Sequence, residues 1–138
     1  NLFGPSHMFF YAHSGLRYLV LLVGVLTLGY ACYGAVAGRT YDRTMFRLAR
    51  TFAGLTHFQL LLGVALLFTQ RFYPALIGHI MPMVFAAAAA TVAPAVMRRR
   101  EPAARTWIPH VVTTLLALAL MVAGIIAIGR SPLGMSGE

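Results

Sequence analysis

The chain has 138 residues, of which 59% are hydrophobic and only 10% charged. A soluble domain carries about 25% charged residues, so the composition excludes an ordinary soluble globule and points to the lipid bilayer. The net charge is +8 and all eleven basic residues are arginine; they flank apolar runs instead of forming a soluble basic face, which argues against nucleic acid as a partner.

The chain begins ambiguously. "GPSHM", residues 4–8, has the pattern of a protease-site remnant followed by a cloning methionine. Residues 1–7, His7 included, are therefore set aside, and the native chain is expected to start at Met8. Beyond it, four stretches lack Asp, Glu, Lys and Arg: 18–38, 51–70, 72–97 and 106–129. Each supplies the roughly 20 residues needed to cross a hydrocarbon core, and backbone groups in lipid must bond internally, so each is expected to be a helix. The expected helices are about 9–37, 51–70, 75–97 and 106–129, forming one domain over 8–130 with a tail at 131–138.

The first helix opens with "YAHSGLRYLVLL", in which His13 and Arg17 are four apart and share a face. The lone cysteine, Cys32, sits in its apolar run. With no partner for a disulfide and no CxxCH, covalent c-type haem attachment is excluded, and Cys32 reads as a small packing residue. A connection with Arg39, Arg43, Arg47 and Arg50 follows. The second helix carries His57 in "GLTHFQLLLG", seven residues past Arg50, or about 10 Å in at the helical rise. Its Thr56 and Gln59 suit either a quinone carbonyl or a backbone bond. The next connection, "QRFYP", has only Arg71.

The third helix carries His79 in "IGHIMPM", roughly 6–10 Å from the surface it enters. Pro82 and Pro94 are expected to kink this helix, Pro94 weakly because it lies near the end. Met81 and Met83 are soft ligands suited to copper(I), but both are expected on different sides of the helix from His79. "RRREPAAR" then adds Arg98, Arg99, Arg100 and Arg105. The fourth helix carries His110 in "WIPHVVTT", five residues after Arg105. Gly24, Gly29, Gly54, Gly63 and the "AAAAA" at 86–90 permit close helix approach or make room for a flat ligand.

Short connections make consecutive helices antiparallel neighbours, so the expected fold is an all-α, integral membrane, up-and-down four-helix bundle. Eight arginines fall in the first and third connections, against Arg17, Arg71 and Arg130 on the other side. Positive charge stays in the cytoplasm, which predicts a bacterial inner-membrane protein with both termini periplasmic. Phe9, Phe10, Tyr11, Tyr18, Phe72 and Tyr73 fit an outer aromatic belt and Trp107 an inner one.

Histidines inside membrane spans are candidates for function. Here there is one per helix, in two layers. His13 and His79 occupy the outer half, on diagonal helices; His57 and His110 occupy the inner half, on the other diagonal. Two inward imidazoles at one depth suit bis-histidine ligation of haem b, with two haems expected. Arginines beside the ligands suit the propionates. Arg50 lies on the surface side of His57; Arg17 lies deeper than His13 and serves only if the helix begins before Phe9. The acids Asp42, Glu101 and Glu138 all lie outside the spans, which argues against a proton relay or cation transporter.

"HSGLRYLVLL" and "THFQLLLGVALLF" resemble a family of small bacterial membrane proteins labelled cytochrome b-like, from Met8 to about Phe68 and more loosely through "GHIMPM". The resemblance implies haem b. The arrangement is also similar to that of the two-haem transmembrane cytochromes b reduced by ascorbate. The expected function is thus one-electron transfer across or within the membrane between two non-covalent haems, with a quinol or redox protein as partner. The alternatives are a non-catalytic anchor or accessory subunit of a respiratory or photosynthetic complex, and a copper-handling membrane protein.

Overall fold

A computed structural model describes residues 4–69 and 72–134. Arg71, assigned above to the outer side, and Glu138 lie outside the described residues. Helix α1 spans Pro5–Val36, α2 Arg43–Thr69, α3 Ile77–Arg99 and α4 Ile108–Ala127, with single 3₁₀ turns at Pro74–Leu76 and Pro102–Ala104. Among the described residues there is no strand. All four helices are long and apolar enough to cross a membrane, with mean hydropathies of 1.7 to 2.3 over their most apolar windows.

The helix ends follow local chemistry. α1 starts at Pro5, whose fixed φ suits a first turn and whose missing N–H would have no partner there. It therefore begins before Phe9, the condition under which Arg17 was expected to serve. It closes on Gly38, which has φ of +62°, while the Arg39 N–H reaches back to the Gly34 carbonyl at 3.0 Å. Glycine takes this left-handed position without the steric cost a Cβ would bring. α2 starts two turns earlier than the charge-free stretch implies. The Asp42 carboxylate accepts the Met45 N–H at 2.9 Å, capping the helix ahead of Arg43. Arg43, Arg47 and Arg50 thus lie on a helix and not in a loop. α3 runs unbroken through Pro82 and Pro94.

Each helix packs against two neighbours. α1 lies along α2 and α3 along α4; the α2–α3 and α1–α4 contacts close the ring, leaving α1 diagonal to α3. The buried positions of α1 are Ser14, Arg17, Val20, Gly24, Thr27, Ala31 and Gly34. On the fourth segment Trp107, His110, Thr114, Ala117, Met121 and Gly124 repeat the same three-and-four spacing, with Ile125 also buried beside Gly124. This spacing suits shallow-angle packing of ridges into grooves. A mid-bundle core forms around Val20, Phe52, Ala86, Ala90, Ala117 and Met121. A second core, around Ala31, Met45, Ala49 and Trp107, lies at the end carrying the first and third connections, hereafter the loop face. The opposite end, where the described residues begin and end, is the terminal face. Leu22, Leu26, Phe58, Leu61, Phe68, Val112 and Leu115 are exposed, so the bundle is apolar outside as well as in. A helix apolar all round suits a bilayer span, where small residues rather than water exclusion let helices associate.

Candidate functional site at the terminal face

Near the terminal face the four helices enclose a cavity of about 260 Å³. His13 of α1 and His79 of α3 meet there from diagonal positions, ring centroids 6.2 Å apart and planes inclined at 84°. Both imidazoles are pinned on one side. Nδ1 of His13 donates to the Gln59 carbonyl at 3.2 Å, and Nδ1 of His79 donates to the Gly124 carbonyl at 2.8 Å. A carbonyl can only accept, so each Nδ1 carries the proton and each Nε2 keeps its lone pair. That is the tautomer a metal-ligating histidine needs, with the second nitrogen held by a backbone acceptor. Gln59 tightens the clamp by donating its own Nε2 to the His13 carbonyl at 2.6 Å.

Glycines line up with both histidines on the flanking helices. A Cβ on Gly63 of α2 would stand 3.2 Å from Cε1 of His13. One on Gly124 of α4 would stand 3.0 Å from the Met83 methyl and 3.3 Å from the His79 carbonyl. Side chains at either place would press on the histidine pair or its support. The rest of the wall is mainly apolar, with Leu60, Ile80, Met83 and Met121 among it. Met83 corrects the reading above: four residues from His79, it comes round to the same face and lines the same cavity, while Met81 is 47% exposed.

Two arginines also reach this cavity, Arg17 and Arg130. The Arg17 side chain is buried; it donates to Ser14 Oγ at 3.3 Å, to the Tyr18 hydroxyl at 2.9 Å and to the Gly134 carbonyl, and its Nε has no partner among the described residues. The only ion pair among the described residues is Arg39 with Asp42, at 3.6 Å. Among the described residues no carboxylate lies beside the buried Arg17 cation, an arrangement that costs free energy unless an anion joins it. The Arg130 guanidinium lies over the Phe10 ring, 5.1 Å from its centroid.

The second pair is not assembled. His57 is exposed on α2 and its Nε2 bonds Thr91 Oγ1 at 2.7 Å. His110 is fully buried in α4, with Nε2 2.7 Å from the Tyr41 hydroxyl and Nδ1 without a partner among the described residues. Neither hydrogen bond nor ring contact joins His57 to His110 among the described residues. Arg50 is exposed, its guanidinium 5.7 Å from the Phe46 centroid. Thr56, offered above for a quinone, gives its hydroxyl proton to the Phe52 carbonyl at 2.8 Å.

Tyr41, outside the spans, is held un-ionised. Burial pushes its phenol up to about 12, with Arg105 opposing and Asp42 assisting. A raised folded value means that the unfolded chain loses this proton first, near pH 10, so stability falls as pH rises from about 10 to about 12. Tyr41→Phe should remove that part of the alkaline loss. Paired ultraviolet titrations of the two proteins should coincide until close to pH 12 and diverge only there; divergence near the ordinary phenol range would contradict it.

The residues at the terminal face fit a haem better than a bare ion. Two imidazoles bonded to opposite sides of one first-row metal at about 2.0 Å have ring centres about 6 Å apart, close to the observed spacing. Among the described residues no cluster of three or more His, Cys, Asp or Glu side chains exists to hold a naked metal. A porphyrin brings four nitrogens of its own and asks the protein for two axial ligands only. Gln59, Gly63, Gly124, Met83 and Arg130 complete this site and were not assigned to it from sequence. Gly63 carried a signal as a small residue that leaves room between helices, and Met83 as a soft ligand four residues from His79.

Fold and site together define a four-helix bundle with membrane-length helices and a paired-histidine cavity. No family model, curated protein or solved structure matches the chain.

Proposed function

We propose that the protein is a multi-pass bacterial inner-membrane cytochrome that binds one haem b between His13 and His79 and passes single electrons to and from membrane partners. The reading rests on one observation: two imidazoles on diagonal helices, 6.2 Å apart, each with Nδ1 tied to a carbonyl and Nε2 left to ligate. Bound haem would supply a one-electron couple, and the protein would set its potential. His13 and His79 would be the axial ligands. Gln59 and the Gly124 carbonyl would hold their rings. Arg17 and Arg130 would receive propionates, in charge-assisted bonds that give the unpaired Arg17 Nε an acceptor. The apolar wall would keep water from the iron's surroundings. A quinol or a small redox protein is the natural electron partner, approaching at the terminal face. The second haem expected from His57 and His110 is not included, because Thr91 and Tyr41 already engage those side chains. Kinship with the cytochrome b-like membrane proteins is part of the same proposal.

A visible spectrum of the purified protein tests the reading. A sharp reduced-haem band, removed from the polypeptide by acid–acetone because no CxxCH exists to hold it covalently, is expected. Colour that stays on the polypeptide would contradict it. Met83 supports a second reading, copper(I) held by His13, His79 and one thioether. A colourless protein that binds copper(I) and loses it on Met83→Leu would favour that reading.

The same proposal puts both termini in the periplasm, following the arginine split. In a Cys32→Ala background, Thr40→Cys should resist an impermeant thiol reagent added to intact cells and react after permeabilisation. Labelling in intact cells would reverse the orientation.

A further inference from the structure

The loop face holds a second feature, which serves no part of the haem reading. A cleft of about 1030 Å³ opens there between the start of α2 and the third connection. Arg43, Arg47, Arg50 and Arg105 line it. The three on α2 are spaced by four and three residues and so share one face. Arg50 and Arg105 approach the same Phe46 ring, their guanidinium carbons 5.7 and 5.8 Å from its centroid. Among the described residues the one acid lining the cleft is Asp42, already engaged by Tyr30, by Arg39 at 3.6 Å and by the Met45 N–H. Among the described residues the side chains of Arg43, Arg47 and Arg50 form no hydrogen bond or ion pair, and that of Arg105 gives only its Nε, to the Arg100 carbonyl at 3.3 Å. Like charges one turn apart on a helix repel, so this face is less stable alone than with an anion bound.

We infer that this cleft binds the headgroup of an anionic phospholipid, its phosphate held by Arg47, Arg50 and Arg105. Guanidinium forks match phosphate oxygens in pairs, which favours arginine for this task. A lipid fits better than free phosphate because of where the cleft lies. Arg50 is seven residues into a helix of membrane-spanning length, about 10 Å along it from Arg43, and directly precedes the charge-free stretch 51–70, where such a span would meet the headgroup layer. Phe46 offers an apolar surface for the glycerol and upper acyl chain beside the charge. Basic clefts between spans at the cytoplasmic surface are suited to acidic lipid headgroups.

Detergent-purified protein is incubated with an equimolar mixture of phosphatidylglycerol and phosphatidylcholine, washed, and its retained lipid counted by mass spectrometry. Retention of phosphatidylglycerol at least about tenfold over phosphatidylcholine is expected on the wild type, undiminished by excess inorganic phosphate and reduced by high salt. Equal retention of the two lipids overturns the inference, and displacement by inorganic phosphate overturns the lipid assignment. Each arginine near a charged surface contributes about a fivefold factor, so Arg47→Gln with Arg50→Gln should erase the preference. Arg98→Gln with Arg99→Gln, the same charge loss outside the cleft, should keep it. An equal fall in both double variants would mean that surface charge alone, and not the cleft, selects the lipid. The wild-type arms need no variant to fold.

Discussion

His13→Ala and His79→Ala are each expected to leave the purified protein without haem, while His57→Ala keeps a full complement. On the proposed reading, either alanine removes one of two axial ligands from a cavity lined otherwise by apolar side chains, two arginines and the weak or neutral donors Ser14, Thr56, Gln59 and Tyr73. The remaining imidazole stays pinned through Nδ1 but holds the iron alone, so occupancy should collapse and any residual haem should turn high-spin. His57 differs because its ring is exposed and bonded to Thr91, away from the cavity. His110→Ala should also retain haem, though losing a buried imidazole bonded to Tyr41 costs stability on the order of 1–3 kcal/mol. Gly63→Val should lower haem content without replacing a ligand, since even its first carbon would press on the His13 ring at 3.2 Å. Haem quantification against protein on each variant checks the set. Loss of haem in His57→Ala, or full retention in His13→Ala, contradicts the assignment.

The largest effect on stability is expected at Gly34. A Cβ there would lie 2.3 Å from the Trp107 ring, inside any allowed contact. Trp107 has little room to yield: it is buried, its Nε1 donates to the Arg39 carbonyl at 2.7 Å, and Tyr30 and Tyr41 each stand 5.5 Å from it, centre to centre. Moving the indole breaks that bond and disturbs the core at the loop face. Overpacking costs about 1–3 kcal/mol and a lost hydrogen bond about 1 more, so Gly34→Val should destabilise by roughly 2–4 kcal/mol. Gly29 supplies the control, because no atom comes within 4 Å of its added Cβ. Gly29→Ala should be neutral or stabilising by up to about 1 kcal/mol through helix propensity. Unfolding of the detergent-solubilised variants gives both values, and equal stabilities would remove the steric account.

Much of this arrangement was legible in the sequence, for physical reasons that can be named. Charge-free stretches of bilayer length gave the helix count, and short connections gave the up-and-down order. Matched depths along antiparallel helices brought His13 to His79, because depth follows from residue rise alone. Azimuth was harder. His57 sits next to Thr56, which is buried; one residue turns the helix by about 100°, and that turn puts the histidine outside. His110 does face inward, but Tyr41, from a connection whose path sequence periodicity does not describe, takes its Nε2. The early start of α2 was readable from Asp42 as a cap, yet a search for uncharged residues passes over it. Met83 was placed on the wrong side of its helix although a four-residue spacing brings it back under His79. The carbonyl of Gly124 that orients His79 belongs to the backbone, so no side-chain motif announces it.

The most direct measurement is the haem stoichiometry of the wild-type protein, taken as the pyridine haemochrome against protein mass, with the spin state of the oxidised form. One haem b per chain, low-spin because two imidazoles hold it, is the expected result. A colourless protein, a high-spin haem, or two haems per chain would contradict a single bis-histidine site at His13 and His79.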